Sequence, residues 1–354
     1  MNERRIEALS LLMTAGVGLG SVVTGHAALH IHFWALGCCI AGALLLTALL
    51  GGGEKWLCYP LFAVLGMLCY FTASMPPVRG GGWPRLLQAA DTVRRAIDAL
   101  PFRQEGTAPL LKAFLTGDRS GLGRETVAVF RRSGASHLLA LSGLHIGIIY
   151  TLFSRATLLL GNTPPARIGR FVLTVPAALA FTLMTGAGPS IVRAFLFITL
   201  SELTRLLGRR RDPLKVFSAA LLLQLTVHPL VITSVGFQLS YCAMLGIFLF
   251  FPALQRWYPS GGRFNPVRKI WEAAALSISC QITTAQIAWF YFHTFPRYFL
   301  ITNVLAIPVT TAVISLGIAS LVLSALGLCP HWVLALTDGS AALLLRILEI
   351  IAAM

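Results

Sequence analysis

The sequence predicts an all-α fold: a polytopic transmembrane helical bundle of about eleven spans, with broken helices and one interfacial amphipathic helical region. Three observations predict it. Hydrophobic residues make up 56% of the 354 and charged residues only 12%, at a mean hydropathy of +0.77. No soluble domain of this length hides so much apolar surface. Apolar runs of spanning length recur along the chain, and basic residues alternate between the loops that join them.

The runs fall at about Leu9–Thr24, Ile31–Leu50 and Trp56–Ser74, then, after a long gap, at His137–Leu160, Ile168–Gly186, Ser190–Leu207, Leu214–His228 and Gly236–Leu254. Trp271–Phe292, Tyr298–Leu326 and His331–Met354 complete the set, the tenth being long enough to divide at Pro308. The N-terminus resembles a signal peptide, but two further apolar runs follow at once, so it is read as a retained span whose GVGLG stretch permits close helix approach. Loops with Arg167 and Arg170, with Arg209, Arg210, Arg211 and Lys215, and with Arg263, Arg268 and Lys269 alternate with loops poor in Lys and Arg. The positive-inside rule then makes the basic loops and the N-terminus cytoplasmic and places residues 75–136 outside, in a multi-pass protein of the cell inner (cytoplasmic) membrane. Seven cysteines lie mostly in apolar runs without metal-like spacing and read as small membrane-core hydrophobes.

Three regions follow: a three-span bundle over 1–75, external amphipathic interfacial helices over 76–135, and a membrane core over 136–354. In the second, Trp83, Leu86, Leu87, Ala90, Val93, Ile97 and Leu100 repeat at helical spacing, with Arg85, Asp91, Arg94, Arg95 and Asp98 mostly opposite. This pattern predicts a helix lying on the membrane, and Leu110, Leu111, Phe114 and Leu115 a second short one. Ten basic and five acidic residues give the region a net charge of +5. Such a surface either hugs lipid headgroups or funnels a polyanion.

GASHLLALSGLHIG (Gly134–Gly147) carries the most functional information. Ionisable groups inside a bilayer are costly and tend to line a pathway, and glycines there predict a discontinuous helix. His137 and His145 fall on one broad helical face, Ser142 lies one turn before His145, and Gly143 and Gly147 form a GxxxG pair. Helix packing, a pathway lining, and a Ser/His catalytic pair all fit these residues, though no orienting carboxylate is evident for the last. The next candidates are spread over four spans. Gly186, Gly188 and Pro189 predict a tight turn in which Ser190 caps the following helix, and Arg193 then sits near the outer boundary, placed for phosphate or for snorkelling to lipid. Glu202 and Arg205 neutralise each other at i, i+3. Gln238 and Ser240 mark the eighth span, and Ser277, Gln281 and Thr284 form a polar stripe on the ninth. Asn303 is set among apolar neighbours, and Pro308 removes a backbone donor and predicts a helix break.

Several segments resemble the ComEC family of membrane proteins that internalise DNA during natural competence: FRRSGASHLLALSGLHIG (Phe130–Gly147), GAGPSIVRAF (Gly186–Phe195), DPL (Asp212–Leu214), GFQLS (Gly236–Ser240) and NVLAIP (Asn303–Pro308). LLKAFLTGDRSGL (Leu110–Leu122) resembles the family's lead-in to its first core helix. The resemblance implies a channel taking single-stranded DNA across the cytoplasmic membrane, with pathway residues among His137, Ser142, His145, Arg193, Gln238 and Asn303; the polar stripe adds Gln281. Many family members carry an oligonucleotide-binding domain and a metallo-β-lactamase-like nuclease. Here residues 75–136 lack alternating strands and no HxHxDH motif occurs; His26, His30 and His32 read as a short turn rather than a zinc site. No metal, cofactor or catalytic activity is therefore expected. The expected partners are single-stranded DNA, membrane lipids, and a separate DNA receptor, nuclease and cytoplasmic DNA-pulling motor. The apolar end at IIAAM also fits a truncated or inactive member. The rivals are a transporter of a smaller anionic or lipid-linked substrate and an intramembrane hydrolase using Ser142 and His145.

Overall fold

A computed structural model describes residues 84–157, 161, 163–208, 212–258, 265–293 and 297–354, with side chains from residue 90. The expected three-span bundle, the His26–His32 cluster, Arg263 and the Arg209–Arg211 loop lie outside the described residues. Within them the chain is all-helical, with twelve α-helices, one 3-10 turn and no strand. They are α1 (Pro84–Asp98), α2 (Thr107–Thr116), α3 (Arg124–Arg132), α4 (Ser136–Leu139), α5 (Gly143–Ala156), α6 (Pro164–Met184), α7 (Pro189–Leu206), α8 (Pro213–Val227), α9 (Val235–Arg256), α10 (Pro266–Phe292), α11 (Phe299–Ala325) and α12 (His331–Ala352).

Local chemistry sets many of these limits. Asp212 Oδ1 accepts from the amides of Leu214 (3.1 Å) and Lys215 (3.5 Å) to open α8, and Asn265 Oδ1 accepts from Val267 (3.0 Å) and Arg268 (3.4 Å) to open α10. Each is followed by proline, whose missing N–H is no loss at a helix start. Between α6 and α7 the chain reverses through Gly186 at φ +81° and Ala187 at φ +51°. The Gly188 carbonyl accepts the first α7 bonds from Ile191 and Val192, so Ser190, expected as the cap, lies one residue inside the helix.

Among the described residues three helices are long and apolar enough to cross a membrane: Pro165–Met184 of α6, α9 and α11, with mean hydropathies of 1.4, 1.7 and 2.1. The other expected spans within the described residues do not meet both conditions. α5 has 14 residues, about 21 Å against a hydrocarbon core of about 30 Å. α7, α10 and α12 carry Arg193, Glu202 and Arg205, Arg268 and Glu272, and Asp338 and Arg346, respectively. Arg167 and Arg170, expected in a loop, lie in the first turns of α6, where Arg170 is buried and donates from Nε to Thr157 Oγ1 at 3.2 Å. Pro308 does not break its helix: α11 is continuous from Phe299 to Ala325, because one missing amide is tolerated where helical bonding resumes on both sides.

The described residues form two compact units, one within Trp83–Phe195 and Leu239–Met354, the other Leu196–Gln238. In the first, α2 departs from the expected interfacial position. Leu110, Leu111 and Phe114 are fully buried and join Ile97 of α1, Phe130 of α3, Ile314 of α11 and Leu344 of α12 in one core. Gly317 of α11 lies so close to Leu111 that a Cβ there has no room. α11 and α12 form the most extensive helix pair, with Ser320 and Thr337 hydroxyls 3.1 Å apart between them. Asp338 of α12, also buried, accepts from the Arg103 amide (2.9 Å) and the Thr107 hydroxyl (2.7 Å), tying the start of α2 to α12. In the second unit Glu202 and Arg205 pair at 2.8 Å as expected. There Gln238 Nε2 donates to the Ile232 carbonyl (3.0 Å), closing the 3-10 turn Pro229–Thr233.

Outside the spans, Asp118 is held below the ordinary carboxylate range by hydrogen bonds from Ser120, with Arg94 at 3.3 Å adding to the effect. A depressed carboxyl stabilises the fold above its unfolded pKa, about 4, and loses that contribution as pH falls through the folded value. Ser120→Ala raises the Asp118 titration midpoint partway towards that value, as read by carbon NMR against pH. For the core, Leu111→Ala lowers the unfolding free energy by about 2–5 kcal/mol in detergent, whereas Val127→Ala, at a 39% exposed position, changes it by less than about 1 kcal/mol.

Candidate functional site

The helix expected from His137 onward is discontinuous. α4 ends at Leu139, Ala140 adopts extended backbone (φ −74°, ψ 121°), and Ser142 is extended too (φ −128°, ψ 173°) before α5 begins at Gly143. The break thus lies at Ala140–Ser142; Gly143 and Gly147, expected to make it, are both inside α5. A capping box closes the new helix start. Ser142 Oγ accepts from the Leu144 amide at 3.3 Å, and His145 Nδ1 accepts from the Ser142 amide at 3.3 Å, with Ser142 Oγ also 3.2 Å away. Because Nδ1 accepts a backbone N–H, the ring proton of neutral His145 sits on Nε2. That Nε2 is buried and has no hydrogen-bond partner, in a residue that is 0% exposed. The Phe114 ring lies alongside, its centroid 5.5 Å from the imidazole.

Arg193 of α7 reaches the same helix start. A Cβ on Gly143 would lie 3.0 Å from Arg193 Nη2 and 3.3 Å from Ala194 Cβ, so the glycine makes room for the guanidinium. Arg193 also stands over the Tyr241 ring, 5.9 Å from its centroid. No carboxylate pairs with it among the described residues, and its buried Nε has no partner. A fixed cation beside the positive end of a helix dipole, with donors left over, suits an anion.

The remaining candidates are placed as follows. His137 is exposed on α4 and donates from Nδ1 to the Gly134 carbonyl at 3.2 Å; the break separates it from the face that carries buried His145. Asn303 on α11 has a buried Oδ1 without a partner, and α11 packs against α5, but no bond joins Asn303 to His145 or Arg193. Gln281 is half-buried on α10. Its stripe neighbours Ser277 and Thr284 donate to the carbonyls of Ala273 and Cys280 on their own helix, a structural use. Gly147 and Gly188 face open space, so only Gly143 of the GxxxG pair meets a neighbour. Gln238 is engaged with Ile232 in the other unit.

Sequence reasoning missed three positions. Thr302 Oγ1 donates to the Ser133 carbonyl at 2.6 Å in a fully buried contact, anchoring the segment before α4 to α11. Thr310, seven residues after Asn303 on the same helix, has a buried hydroxyl without a partner. Gly246 of α9 lies against the Ser279 carbonyl and Thr283, whose hydroxyl donates to the Cys242 carbonyl (2.8 Å) across the α9–α10 contact. The signal for Thr302 was its place beside Asn303 in a short polar pair within an apolar run. Among the described residues no group of three His, Cys, Asp or Glu stands together to hold a metal.

The sequence profile of the competence protein family matches residues 114–354. ComE operon protein 3 of Bacillus subtilis is 27% identical over 203 residues, 57% of this chain and 24% of that protein. Recombination protein 2 of Haemophilus influenzae is 26% identical over 210 residues, 56% of this chain and 26% of that protein. Competence protein ComA of Neisseria gonorrhoeae is 30% identical over 177 residues, 48% of this chain and 25% of that protein. The chain spans about a quarter of the length of these three relatives. No solved structure matches it. The profile covers the helix break, Arg193, Tyr241 and Asn303.

The capping geometry has two measurable consequences. Nitrogen NMR of His145 shows a protonated Nε2 and an unprotonated Nδ1. Ser142→Ala removes the cap and costs about 1 kcal/mol of stability in thermal unfolding.

Proposed function

The chain belongs to the competence protein family, and from that premise we propose that it forms a multi-pass channel for single-stranded DNA in the cytoplasmic membrane during natural transformation. The observation that carries the proposal is Arg193, a cation with no carboxylate partner among the described residues and a buried, unpartnered Nε, set against Gly143 at the start of α5, the helix that also carries the unpartnered Nε2–H of His145. A phosphodiester is a singly charged anion with exposed oxygens, and it accepts from both kinds of donor. The site has few donors, so a strand is held loosely enough to leave again, as conduction requires. His137 and Ser142 line the approach at the break. Asn303 offers an acceptor on α11 to a passing base, and Gln281 extends the polar lining on α10.

In this reading residues 75–136 face outside and the N-terminus is cytoplasmic. A separate receptor delivers DNA, a separate nuclease degrades the complementary strand, and a cytoplasmic motor pulls. The chain performs no catalysis. Ser142 Oγ is occupied as a helix cap, His145 Nδ1 accepts a backbone amide instead of serving as a base, and no carboxylate orients the imidazole. One arginine also suits a smaller anionic or lipid-linked substrate, which is the second reading.

The test is uptake of labelled DNA by a competent host carrying altered chains expressed at the normal level. Arg193→Gln lowers uptake at least about tenfold, the loss of a charged hydrogen bond. His145→Glu keeps an acceptor for the Ser142 amide but brings a negative charge to the first turn of α5, the helix start that Arg193 reaches at Gly143, and lowers uptake to the same degree while the protein still folds. Unchanged uptake in both variants overturns the channel reading. Accumulation of small organic phosphates, but not of DNA, by reconstituted vesicles selects the second reading.

A further inference from the structure

The positive charge of residues 75–136 is not spread evenly once pairing is taken into account. On α1 and α2, Arg94 lies 2.9 Å from Asp91 and 3.3 Å from Asp118, and Lys112 lies 2.7 Å from Asp98; Arg95, Arg103 and Arg119 are exposed and without an ion pair among the described residues, but stand singly on α1 and in two separate loops. On α3, Arg124, Arg131 and Arg132 are all exposed, and none has an ion pair among the described residues. At about 100° per residue these three fall within one third of the helix circumference, with Glu125 at its margin. The opposite side of α3 is committed to protein. Phe130 is 0% exposed in the core, and Val129 packs against that core.

That commitment decides what the basic face meets. A helix held at a lipid interface sinks its apolar side into the acyl boundary and leaves its cations at the headgroups. The apolar side of α3 is already buried against α2 and its neighbours, so its arginines have no such anchor. Four residues after α3 ends, α4 begins, with Ser136 and His137 exposed, and the Ala140–Ser142 break follows. The exposed basic face therefore runs into the segment that opens α5, where Arg193 sits.

We propose that the Arg124–Arg131–Arg132 face of α3 is the surface that receives the phosphate backbone of single-stranded DNA and feeds it to the break before α5. The proposal rests on the channel reading for the identity of its ligand. Guanidinium groups suit it: they stay charged, bind phosphate through two parallel bonds, and carry no sequence preference when they contact only the backbone.

Binding of a fluorescent oligothymidylate to the full chain in phosphatidylcholine nanodiscs, measured against salt concentration, tests the surface. Replacing all three arginines with glutamine weakens binding at least tenfold and lowers the slope of log affinity against log salt by about two, from about 0.7 per phosphate contact. Replacing all three with lysine retains the slope, and Arg94→Gln, which alters a paired cation, leaves it unchanged. A slope unaltered in the glutamine triple variant overturns this proposal alone, provided the unaltered chain binds and Arg193→Gln still loses uptake. No binding by the unaltered chain overturns both this proposal and the channel reading. A spin label at Ala128, in the middle of the face, is expected to report contact with water; burial among headgroups assigns the face to lipid and overturns the proposal.

Discussion

The candidate site depends on the three residues Ala140–Ser142 leaving helical conformation without stranding their backbone groups. Away from water, an unbonded amide costs more than a hydrogen bond returns. The break is tolerated because local bonds close it from both sides. The Ala140 amide donates to the Ser136 carbonyl (3.1 Å), and the Ser142–His145 capping box satisfies the first amides of α5. The familiar box places Glu or Gln at the third helical position. This chain places histidine there, and the difference matters electrostatically. A glutamate would cap equally well but would add a negative charge to the helix start that Arg193 reaches at Gly143. A neutral imidazole caps with Nδ1 and leaves the cation unpaired.

The break is positioned by the core beneath it. Leu110, Leu111 and Phe114 of α2 fill the space among α3, α5, α11 and α12, and Phe114 supports the His145 ring directly. Two buried polar contacts fix the ends of this arrangement. Asp338 holds the start of α2 through Arg103 and Thr107, and Thr302 holds the Ser133 carbonyl just before α4. Both reach across more than a hundred residues of sequence, so the site is assembled only once α11 and α12 are in place. Close packing transmits this: a Cβ at Gly317 would displace Leu111, and one at Gly143 would press on Arg193 and Ala194.

Helix limits were largely legible because their signals are local. Asp212–Pro213 and Asn265–Pro266 announce helix starts without knowledge of anything else in the molecule. The burial of α2 was not legible, since periodicity identifies an apolar face but does not say whether lipid or protein covers it. The same limit applies to Ser277 and Thr284, whose spacing suggested a lining although their hydroxyls return to their own helix. Gly143 and Gly147 look equivalent in sequence, and only tertiary contact separates the one that matters. Asp338 left a signal that went unread: a lone carboxylate in an apolar run, with no basic residue one helical turn away, has to find its partners elsewhere in the chain.

The burial of an unpaired cation is what sets the site apart in the pattern of charge pairing. Acidic residues are scarce, 13 against 28 Lys and Arg, so neutralisation by pairing is limited, and its distribution carries information. Arg94, Lys112, Arg205 and Arg268 each lie within 3.3 Å of a carboxylate. Among the described residues Arg193 and the three arginines of α3 do not, and neither do others such as Arg95, Arg103, Arg119 and Arg256. Chance scarcity alone leaves unpaired cations scattered along exposed loops, where water screens them at little cost. Arg193 is different because its Nε is shut away from water as well as from carboxylate, and a desolvated, unpaired donor is retained only against a penalty that an arriving anion removes. The arginines of α3 lie a few residues before the break that Arg193 adjoins.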